Sequence, residues 1–466
     1  MKKILLVSPP LQVNAQAHFK DNSYGLGLAY LHAVLEKEGY DIRTRSYNNS
    51  EPSEAAAAME TEILEFRPDF LLVQVFTMNR VESYKIIRRA KELAPGAKIV
   101  AGGVHASIYP AQILDNYPAD CVVIGEGEAT IVELLPVLGE GGDLSAVKGI
   151  AYRREGGTVF TPPRPLIEDL DSLPFPKHGL FITTEPLREM GCILTSRGCP
   201  YRCSFCCLHT ISRRRFRTRS VSNVVDEIQH IVDNFPQIKL LQIADDTFTL
   251  NQQRAIEICR EIIRRGIKMR FLCSARIRPA SPELFEIMEK AGFEGIGFGL
   301  ETGSAKLLKA IHKNISREDV IATFKMLKGR RLKIATYLMV GFPGENDETV
   351  AETIDLIKKL QKIKYFEFAG VARLWVYPNT EVYEVMRAAG RIDDSYWLTD
   401  KDVPFFTLEH SEDELETMVT RITLACQPWW QWVKRISFEL GSPAQFMRKL
   451  YPRLQKLKNV IQKNIH

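Results

Sequence analysis

The first 140 residues alternate short strand-like runs with longer amphipathic stretches. The strand-like runs are KILLVSP, DIRTRSY, FLLVQVF, AKIVAGG and DCVVIG, and helix-like stretches such as GLGLAYLHAVLEKEGY and VESYKIIRRAKEL lie between them. A run such as FLLVQVF is apolar on both faces, which is typical of a parallel strand covered by helices. Right-handed crossovers then predict a doubly wound, Rossmann-like α/β domain over residues 1–140.

The segments that follow these predicted strands are candidate ligand-binding loops. SPPLQ, FTMNR, GGVHAS and GEGEAT follow the first, third, fourth and fifth strands. Ligands of doubly wound domains bind at this carboxyl edge of the sheet, and small residues let the backbone approach a ligand closely. No GxGxxG motif follows the first strand, which argues against a nicotinamide dinucleotide.

Three further regions follow the first domain. Residues 141–187 read as a linker, with a small hairpin that turns at Gly156 and Gly157 and then a proline-punctuated stretch. Six strand-like runs and amphipathic helices predict a partial (β/α)6 barrel over residues 188–385, with its site at the carboxyl ends of the strands. Residues 386–466 have a helical pattern, which includes the aromatic segment PWWQW and a basic tail.

The stretch TSRGCPYRCSFCC contains four of the nine cysteines. Such clustering in a chain expected to be cytoplasmic indicates a metal site or catalysis instead of a disulfide framework. Cys199, Cys203 and Cys206 have the spacing CxxxCxxC. Three thiolates on one loop can hold three irons of a 4Fe–4S cluster, which leaves the fourth iron open to a small molecule.

A zinc site is the structural alternative for the same cysteines. Cys192, Cys207 or His209 would supply the fourth ligand of a closed tetrahedral site. Zinc sites usually use paired CxxC knuckles, and this chain has a single short spacing, so an iron–sulfur cluster is the favoured interpretation.

With Phe205 as its aromatic residue, CPYRCSFC resembles the CxxxCxΦC signature of the radical S-adenosylmethionine (SAM) superfamily. The resemblance implies that the open iron chelates SAM and that the reduced cluster cleaves SAM to a 5′-deoxyadenosyl radical. It also implies an anaerobic setting and an electron donor such as flavodoxin or ferredoxin. No acid or base of the reaction can be named from the sequence.

The resemblance continues through the predicted barrel and implies a set of SAM contacts. The segments ADD, SARIR, GLETGS and MVGFPGEN occur in the family's order, and WVYPNTEVY resembles its PGT motif with Asn379 in place of glycine. Helix N-capping is the alternative role for the two aspartates of ADD. The implied SAM-binding residues are Phe205, Asp245, Asp246, Ser274, Arg276, Glu301 and Gly341.

Residues 1–140 resemble the cobalamin-binding domain of one large class of radical SAM enzymes, through GLGLAYLHAVLEKEGY, GGVHAS and GEGEAT. The chain has no DxHxxG motif, so no histidine of that motif lies beneath cobalt. His105 suits the cofactor's nucleotide tail or a structural hydrogen bond better than axial ligation. The implied cobalamin contacts are Pro10, Leu11, Gln12, Phe76, Thr77, Gly102, Gly103, His105, Gly125, Glu126 and Gly127.

Together the resemblances imply a cobalamin-dependent radical SAM enzyme that abstracts hydrogen from an unactivated carbon and transfers methyl from methylcobalamin. Cyclisation, ring contraction or lipid C–C chemistry without methyl transfer is the first alternative. A non-catalytic zinc- or cobalamin-binding module is the alternative of another class. A tRNA methylthiotransferase is disfavoured because Cys121 is the one cysteine in the first domain.

The charge pattern adds little about the substrate. From Lys434 onward there are eight basic residues and one acidic residue, whereas the rest of the chain is close to neutral. This tail is either a packed helical cap with a solvated face or a contact with an anionic membrane and a lipid substrate. The arginines of RRRFRTRS form a solvated loop or steer an anionic group. We expect a cytoplasmic enzyme that acts on a small molecule or a lipid and binds no nucleic acid.

Overall fold

The structure is a computed structural model and describes residues 2–11, 25–48, 50–182 and 189–426. The strands are β1 Lys3–Ser8, β2 Asp41–Ser46, β3 Phe70–Gln74, β4 Lys98–Gly102, β5 Cys121–Val123, β6 Ile150–Arg154, β7 Gly157–Phe160, β8 Met190–Ile193, β9 Ser196–Arg197, β10 Arg217–Thr218, β11 Leu240–Ile243, β12 Arg270–Ala275, β13 Phe293–Glu301, β14 Lys333–Val340 and β15 Glu367–Arg373. The helices are α1 Leu26–Lys37, α2 Pro52–Phe66, α3 Arg80–Leu93, α4 Val104–Ile108, α5 Pro110–Asn116, α6 Glu128–Glu140, α7 Gly179–Ile182, α8 His209–Ser212, α9 Val221–Asn234, α10 Gln252–Arg264, α11 Pro282–Ala291, α12 Ala305–Ala310, α13 Arg317–Leu327, α14 Asp347–Ile363, α15 Glu381–Ala388 and α16 Glu412–Cys426.

The first sheet has the strand order β2-β1-β3-β4-β5-β6-β7. Strands β1 to β5 pair in parallel, and separate hydrophobic clusters cover the two faces of the sheet. The predicted Rossmann-like architecture is therefore confirmed. The predicted hairpin, β6 and β7, pairs antiparallel with β5 and extends this sheet at its edge.

The second sheet has the order β15-β14-β13-β12-β11-β8, and every neighbouring pair is parallel. In the described part of the chain β8 and β15 do not pair with each other, so the barrel is partial, as predicted. Its longer helices are amphipathic, and a side chain caps the N-terminus of each of α9, α10, α11, α13 and α14. In α9, for example, Val224, Val225, Ile228 and Ile231 face the core, and the Ser220 side chain accepts a hydrogen bond from the Asn223 amide.

The chain beyond the barrel packs back onto both sheets. Helix α16 lies against α14, β14 and β15, and the fully buried Trp397 lies between the barrel and the first domain. PWWQW and the basic tail, on which the predicted membrane contact depends, lie outside the described residues. Within the described ranges, no helix has the length and apolar character needed to cross a bilayer.

Candidate active site at the mouth of the barrel

The three cysteines of CxxxCxxC lie on the loop between β9 and α8, at the carboxyl end of β8. The backbone of Ser204 anchors this loop on both sides: its amide donates to the Ile311 carbonyl, and its carbonyl accepts from the Val382 amide, both at 3.2 Å. Gly198 begins the loop with a φ of +87°, and a Cβ there would lie 2.1 Å from the Arg215 carbonyl oxygen. The loop is therefore held in one path by its neighbours.

The thiols of this loop affect one another. Desolvation by the surrounding protein, followed by the charges of Cys207, Cys203 and Cys199, raises the pKa of Cys206 to about 12. Among the described residues, no three Cys, His, Asp or Glu side chains already converge as metal ligands. Thiols with raised pKa values become thiolates when a metal supplies compensating charge, and soft thiolates suit an iron–sulfur cluster. The donor set therefore fits the implied group.

The zinc alternative gains no support from the positions of its extra ligands. Cys192 is buried in a small cluster with Leu26 and Tyr30, at the contact with the first domain. His209 Nδ1 lies 3.2 Å from the Cys206 carbonyl oxygen. Cys207, the neighbour of Cys206, is half-buried. The fourth ligand of a closed zinc site is thus not preassembled among these residues.

Arg276 follows β12 directly and faces the cysteine loop. Its Nη1 lies 3.6 Å from Cys203 Sγ, and its guanidinium lies 3.7 Å from the centroid of the Tyr201 ring. Its Nη2 donates to the Lys313 carbonyl, whereas its buried Nε has no partner. A buried, partly unsatisfied guanidinium beside the loop fits recognition of a carboxylate such as that of SAM. Ser274 lies on β12, two residues earlier, and is half-buried.

The two aspartates of ADD have different environments. The Asp245 carboxylate is fully buried and accepts hydrogen bonds from the backbone amides and hydroxyls of Thr195 and Ser196, at 2.5–3.1 Å. Asp246 is exposed at the barrel mouth and accepts one bond, from the Gly198 amide at 3.2 Å. Surrounding protein, and then the Asp245 charge, raises the pKa of Asp246 to about 6. Asp245 therefore ties the end of β11 to the segment that leads from β8 into β9, and Asp246 is the carboxylate open to a ligand.

Helix capping, the alternative role for these aspartates, is not what the structure shows. The cap of α10 is Asn251, whose side chain accepts from the Arg254 amide. That alternative is wrong for both residues.

Glu301, at the end of β13, forms a buried ion pair that the sequence did not suggest. Its Oε1 lies 2.6 Å from Lys313 Nζ, and both side chains are almost fully buried. Because the Lys313 carbonyl also accepts from Arg276, the pair continues to the cysteine loop. Glu301 has a φ of +68°, a strained value for a residue with a side chain. Such strain at this edge is consistent with a binding role.

The GFPG turn after β14 is held by its own glutamate. The carboxylate of Glu345 accepts from the amides of Gly341 and Phe342, and burial raises the pKa of this group to about 7. Gly341 begins the turn with a φ of +95°. The centroid of the Phe205 ring, on the cysteine loop, lies 5.7 Å from that of the Phe342 ring. The turn therefore supports the cysteine loop directly.

Asn379, which stands in place of the glycine of the PGT motif, lies in the left-handed region of backbone conformation. It adopts a φ of +58°, a conformation that asparagine tolerates better than most residues. Its side-chain nitrogen donates to the Thr210 hydroxyl on α8 at 2.8 Å. This bond ties the segment before α15 to the end of the cysteine loop.

In the first domain, the predicted cobalamin contacts share one edge of the sheet, where β1, β3, β4 and β5 end. Gly103 has a φ of +104°, and a Cβ there would lie 2.9 Å from the Val75 carbonyl oxygen; Gly125 has a φ of +88° with open space around it. This edge of small residues leaves room for a large ligand, so it fits cobalamin. The half-buried predicted residues are Leu11, Phe76, Gly102, Gly103, Gly125, Glu126 and Gly127, and the buried ones are Pro10, Thr77 and His105; Gln12 lies outside the described residues.

His105 is fully enclosed by protein. Its Nδ1 lies 3.1 Å from the Thr77 hydroxyl and its Nε2 lies 3.0 Å from the Tyr84 hydroxyl. Burial, together with the charge of Arg80, lowers the pKa of His105 to about 3. Both ring nitrogens are thus occupied, which matches the structural hydrogen-bond role weighed from the sequence.

Glu126 connects the first domain to the small two-stranded sheet formed by β9 and β10. Its carboxylate accepts from Arg197 and Arg217, which lie on β9 and β10 beside the cysteine loop. The arginines of RRRFRTRS therefore differ in role: Arg217 and Arg219 are buried in ion pairs, whereas Arg213, Arg214 and Arg215 are exposed. The local sequence pattern did not reveal Arg197 or Lys313 as residues of the site. For Arg217 it suggested a solvated or anion-steering loop instead of a buried ion pair, since nothing in that pattern separates these residues from surface cations.

Comparisons with known proteins agree with this geometry. Residues 193–357 match the model of the Radical SAM superfamily, and residues 15–135 match that of the B12 binding domain. An uncharacterized methyltransferase of Pyrococcus horikoshii is 30% identical over 417 residues, which cover 88% of this chain and 89% of the relative. The anaerobic magnesium-protoporphyrin IX monomethyl ester cyclase of Rubrivivax gelatinosus is 28% identical, over 71% of this chain and 61% of the relative.

A solved structure has the same fold. The radical SAM methyltransferase TsrM from Kitasatospora setae, solved with cobalamin and a [4Fe–4S] cluster bound, superposes with a TM-score of 0.68. The match has 22% identity and covers 84% of this chain and 76% of that one. The two domains and their order along the chain are therefore those of a known architecture.

Proposed function

This chain belongs to the radical SAM superfamily, among the methyltransferases that also carry a B12 binding domain, and we propose that it methylates an unactivated carbon of a small molecule. The protein is an enzyme, and its cofactors are a 4Fe–4S cluster, SAM and cobalamin. When bound, these groups supply reductive SAM cleavage, hydrogen abstraction and a transferable methyl group, which no side chain provides.

In this proposal, the chain's own residues bind and orient those groups. Cys199, Cys203 and Cys206 ligate the cluster. Arg276 pairs with the SAM carboxylate and Asp246 accepts from its amino group, while Asp245 and Glu345 hold the loops that carry these contacts. The observation that carries the proposal is the buried Arg276 guanidinium, which lies against Cys203 with one donor unsatisfied.

The remaining SAM contacts in the proposal are Phe205, Ser274, Glu301 and Gly341. The cobalamin contacts lie at the edge where β1, β3, β4 and β5 end, on loops rich in glycine. The side chain of His105 does not take part, because Thr77 and Tyr84 occupy its two nitrogens. The division into domains 1–140 and 188–385 and a C-terminal region at 386–466 is part of the same proposal. The predicted linker at 141–187 is corrected in one respect, because its hairpin, β6 and β7, belongs to the first sheet.

Cyclisation without methyl transfer is the second candidate function, because the Rubrivivax gelatinosus relative is a cyclase. One-electron reduction of the cluster calls for a donor, and a flavodoxin or ferredoxin fits that need. A cytoplasmic location, and peripheral membrane contact through the basic tail, remain part of the proposal.

The first test measures metal and cofactor content. The full chain is purified without oxygen in the presence of hydroxocobalamin, and iron, sulfide and cobalamin are measured for the wild type and for Cys199→Ala, Cys203→Ala, Cys206→Ala and Cys207→Ala. We expect about four irons per chain in the wild type and in Cys207→Ala, and loss of iron in the other three. Zinc in place of iron, or full iron in those three, would overturn the cofactor assignment.

The second test separates methyl transfer from cyclisation. Protein loaded with reduced cobalamin is mixed with SAM, and methylcobalamin and S-adenosylhomocysteine are quantified. We expect both products in equal amounts, because each transfer of a methyl group from SAM to cobalt gives one methylcobalamin and one S-adenosylhomocysteine. Cleavage of SAM to 5′-deoxyadenosine without methylcobalamin would favour the cyclase-like alternative.

A further inference from the structure

One carboxylate of the first domain is enclosed by two arginines of the barrel. Glu126, in the loop after β5, accepts from both terminal nitrogens of Arg217 at 2.9 Å and from Arg197 Nη1 at 3.1 Å. The Glu126 and Arg217 side chains are 7% and 5% exposed, so water screens this contact weakly. A surface salt bridge of little energetic weight would not be buried in this way.

The same network includes two more contacts. Arg197 Nη2 donates to Glu128, the first residue of α6, at 2.6 Å, and the Arg197 guanidinium lies 5.1 Å from the centre of the Tyr30 ring. The amide of Ile167, in the segment before β8, donates to Glu126 at 2.9 Å. Two acidic and two basic side chains therefore neutralise one another where the first domain, this segment and the barrel meet.

The position of these arginines ties the network to the cysteine loop. Arg197 and Arg217 are directly opposite each other in the β9–β10 pair. Arg197 precedes Gly198 and Cys199, and the Gly198 amide donates to Asp246. On the other side, Glu126 lies between Gly125 and Gly127, in a loop proposed to contact cobalamin. The carboxylate thus joins the loop of one cofactor to the loop of the other.

A buried ion pair is a costly way to hold two domains together. Apolar residues of similar volume would stabilise the contact as well, whereas ion pairs have directional partners and set one geometry. Bidentate arginine–carboxylate pairing adds that geometric specificity. The network is therefore suited to fixing the position of one loop relative to the other.

Resting on the proposed function, we propose that Glu126 is a positioning residue that couples cobalamin binding in the first domain to cluster assembly on the cysteine loop. Each cofactor orders the loop that carries one end of the network. The second cofactor then binds a loop that the first cofactor already holds in place through the network. By thermodynamic linkage, each cofactor raises the affinity for the other by the same factor.

The test compares the dissociation constant of hydroxocobalamin for the full-length protein before and after reconstitution of the cluster with iron and sulfide. In the wild type we expect affinity about fivefold or more tighter after reconstitution, the lower end of typical coupling between sites. In Glu126→Gln the ratio of the two constants falls towards one. A merely structural role would weaken both measurements alike and leave the ratio unchanged.

Glu133→Gln is the matched control. Glu133 also lies on α6 and pairs with an arginine, but that arginine is Arg164 in the segment before β8, not Arg197 of β9 or Arg217 of β10. In Glu133→Gln, the ratio of the two dissociation constants of hydroxocobalamin should equal the wild-type ratio. If Glu126→Gln does not fold, Arg217→Lys replaces it, because lysine keeps the charge and loses the bidentate contact.

A ratio in Glu126→Gln or Arg217→Lys equal to the wild-type value would overturn the coupling. A ratio of one in the wild type would do the same. If the wild type bound neither iron nor cobalamin, the proposed function would fail instead, so the two failures are distinguishable.

Discussion

The Nη1 atom of Arg276 lies 3.6 Å from the sulfur of Cys203, although 73 residues separate the two along the chain. The parallel barrel brings them together, because β12 and the cysteine loop after β8 end at the same edge of the sheet. Tyr201 covers the other side of the guanidinium at 3.7 Å. Arg276 therefore has a fixed position, from which a charged ligand beside the loop can be held.

Replacing Arg276 should weaken SAM binding more than iron binding. Arg276→Gln removes a charge-assisted contact, so we expect the dissociation constant of SAM to rise about 10- to 100-fold. The constant is measured by anaerobic equilibrium dialysis with reconstituted protein of known iron content. Arg278→Gln is the control. The exposed Arg278 side chain pairs with Asp319, and its replacement should leave the dissociation constant of SAM nearly unchanged. Equal effects of the two changes would contradict the assignment.

Replacing each aspartate of ADD in turn should show that Asp245 stabilises the fold far more than Asp246 does. Asp245→Asn leaves hydroxyls and amides of Thr195 and Ser196 poorly matched in a buried site, so the free energy of unfolding should fall by about 2–4 kcal/mol. Asp246→Asn, which loses one bond at an exposed position, should change it by less than about 1 kcal/mol. Urea unfolding of the iron-free protein measures both. The interpretation fails if Asp246→Asn is the more destabilising change.

Glu345 should give stability a pH dependence near neutrality. Its pKa in the folded protein is about 7, above the ordinary glutamate value, since burial outweighs the bonds from Gly341 and Phe342. Folding therefore favours the protonated form of Glu345. The stabilisation of the fold that this causes is fully present at a pH below the pKa of Glu345 in the unfolded chain, and it is lost as the pH rises through about 7. The difference of about 2.5 pKa units corresponds to about 3 kcal/mol.

Urea midpoints between pH 5 and 8 test this dependence. We expect the wild type to lose stability relative to Glu345→Gln as the pH rises, because the amide does not ionise. Glu409→Gln is the comparison variant. Glu409 accepts from the half-buried Gly344 amide at 2.7 Å, and its charge adds only the smallest of the causes that raise the pKa of Glu345. His410 donates to the Glu345 backbone carbonyl at 2.8 Å, so every variant in the comparison keeps His410. Parallel curves for wild type and Glu345→Gln would rule out the assignment.

Arg80 should hold the segment after α15 against the first domain. This fully buried side chain donates to the carbonyls of Thr77, Trp397, Thr399 and Lys401, and no carboxylate among the described residues bonds to it. Arg80→Met leaves those carbonyls unpaired, which we expect to cost about 2–4 kcal/mol. Hydrogen exchange should accelerate in residues 397–401 while β3 and β4 stay protected.

Arg88→Met provides the comparison for Arg80. Arg88 lies on the same helix and stacks on Tyr117 at 4.6 Å, but its side chain is exposed. Its replacement should leave the exchange of residues 397–401 unchanged. Acceleration of that segment in both variants would point to a general loss of stability instead of a local clamp.

Local patterns predicted much of the fold. The apolar run FLLVQVF became β3, and the six strand-like runs of the barrel each became a parallel strand in the expected order. The hairpin after residue 149 was also predicted, but its addition to the first sheet was not. Pairing β6 with β5 depends on a free sheet edge, which no local pattern reveals.

Local patterns likewise predicted one part of the candidate site and not another. CxxxCxxC predicts the loop of Cys199, Cys203 and Cys206 because three ligands of one cluster have to be close along the chain. The separate roles of Asp245 and Asp246, adjacent residues of identical chemistry, depend on what surrounds each carboxylate. Asp245 meets Thr195 and Ser196 in the segment after β8, and Asp246 meets solvent and Gly198.

The sequence by itself determined the strand periodicity, the order of the two sheets and the spacing of the cysteines, because each depends on residues close together in the chain. Only the tertiary structure decided that His105 is enclosed by Thr77 and Tyr84, and that Glu126 pairs with Arg197 and Arg217. The reason is physical: burial and pairing of a charge depend on which distant segments the packed sheets bring within a few ångströms.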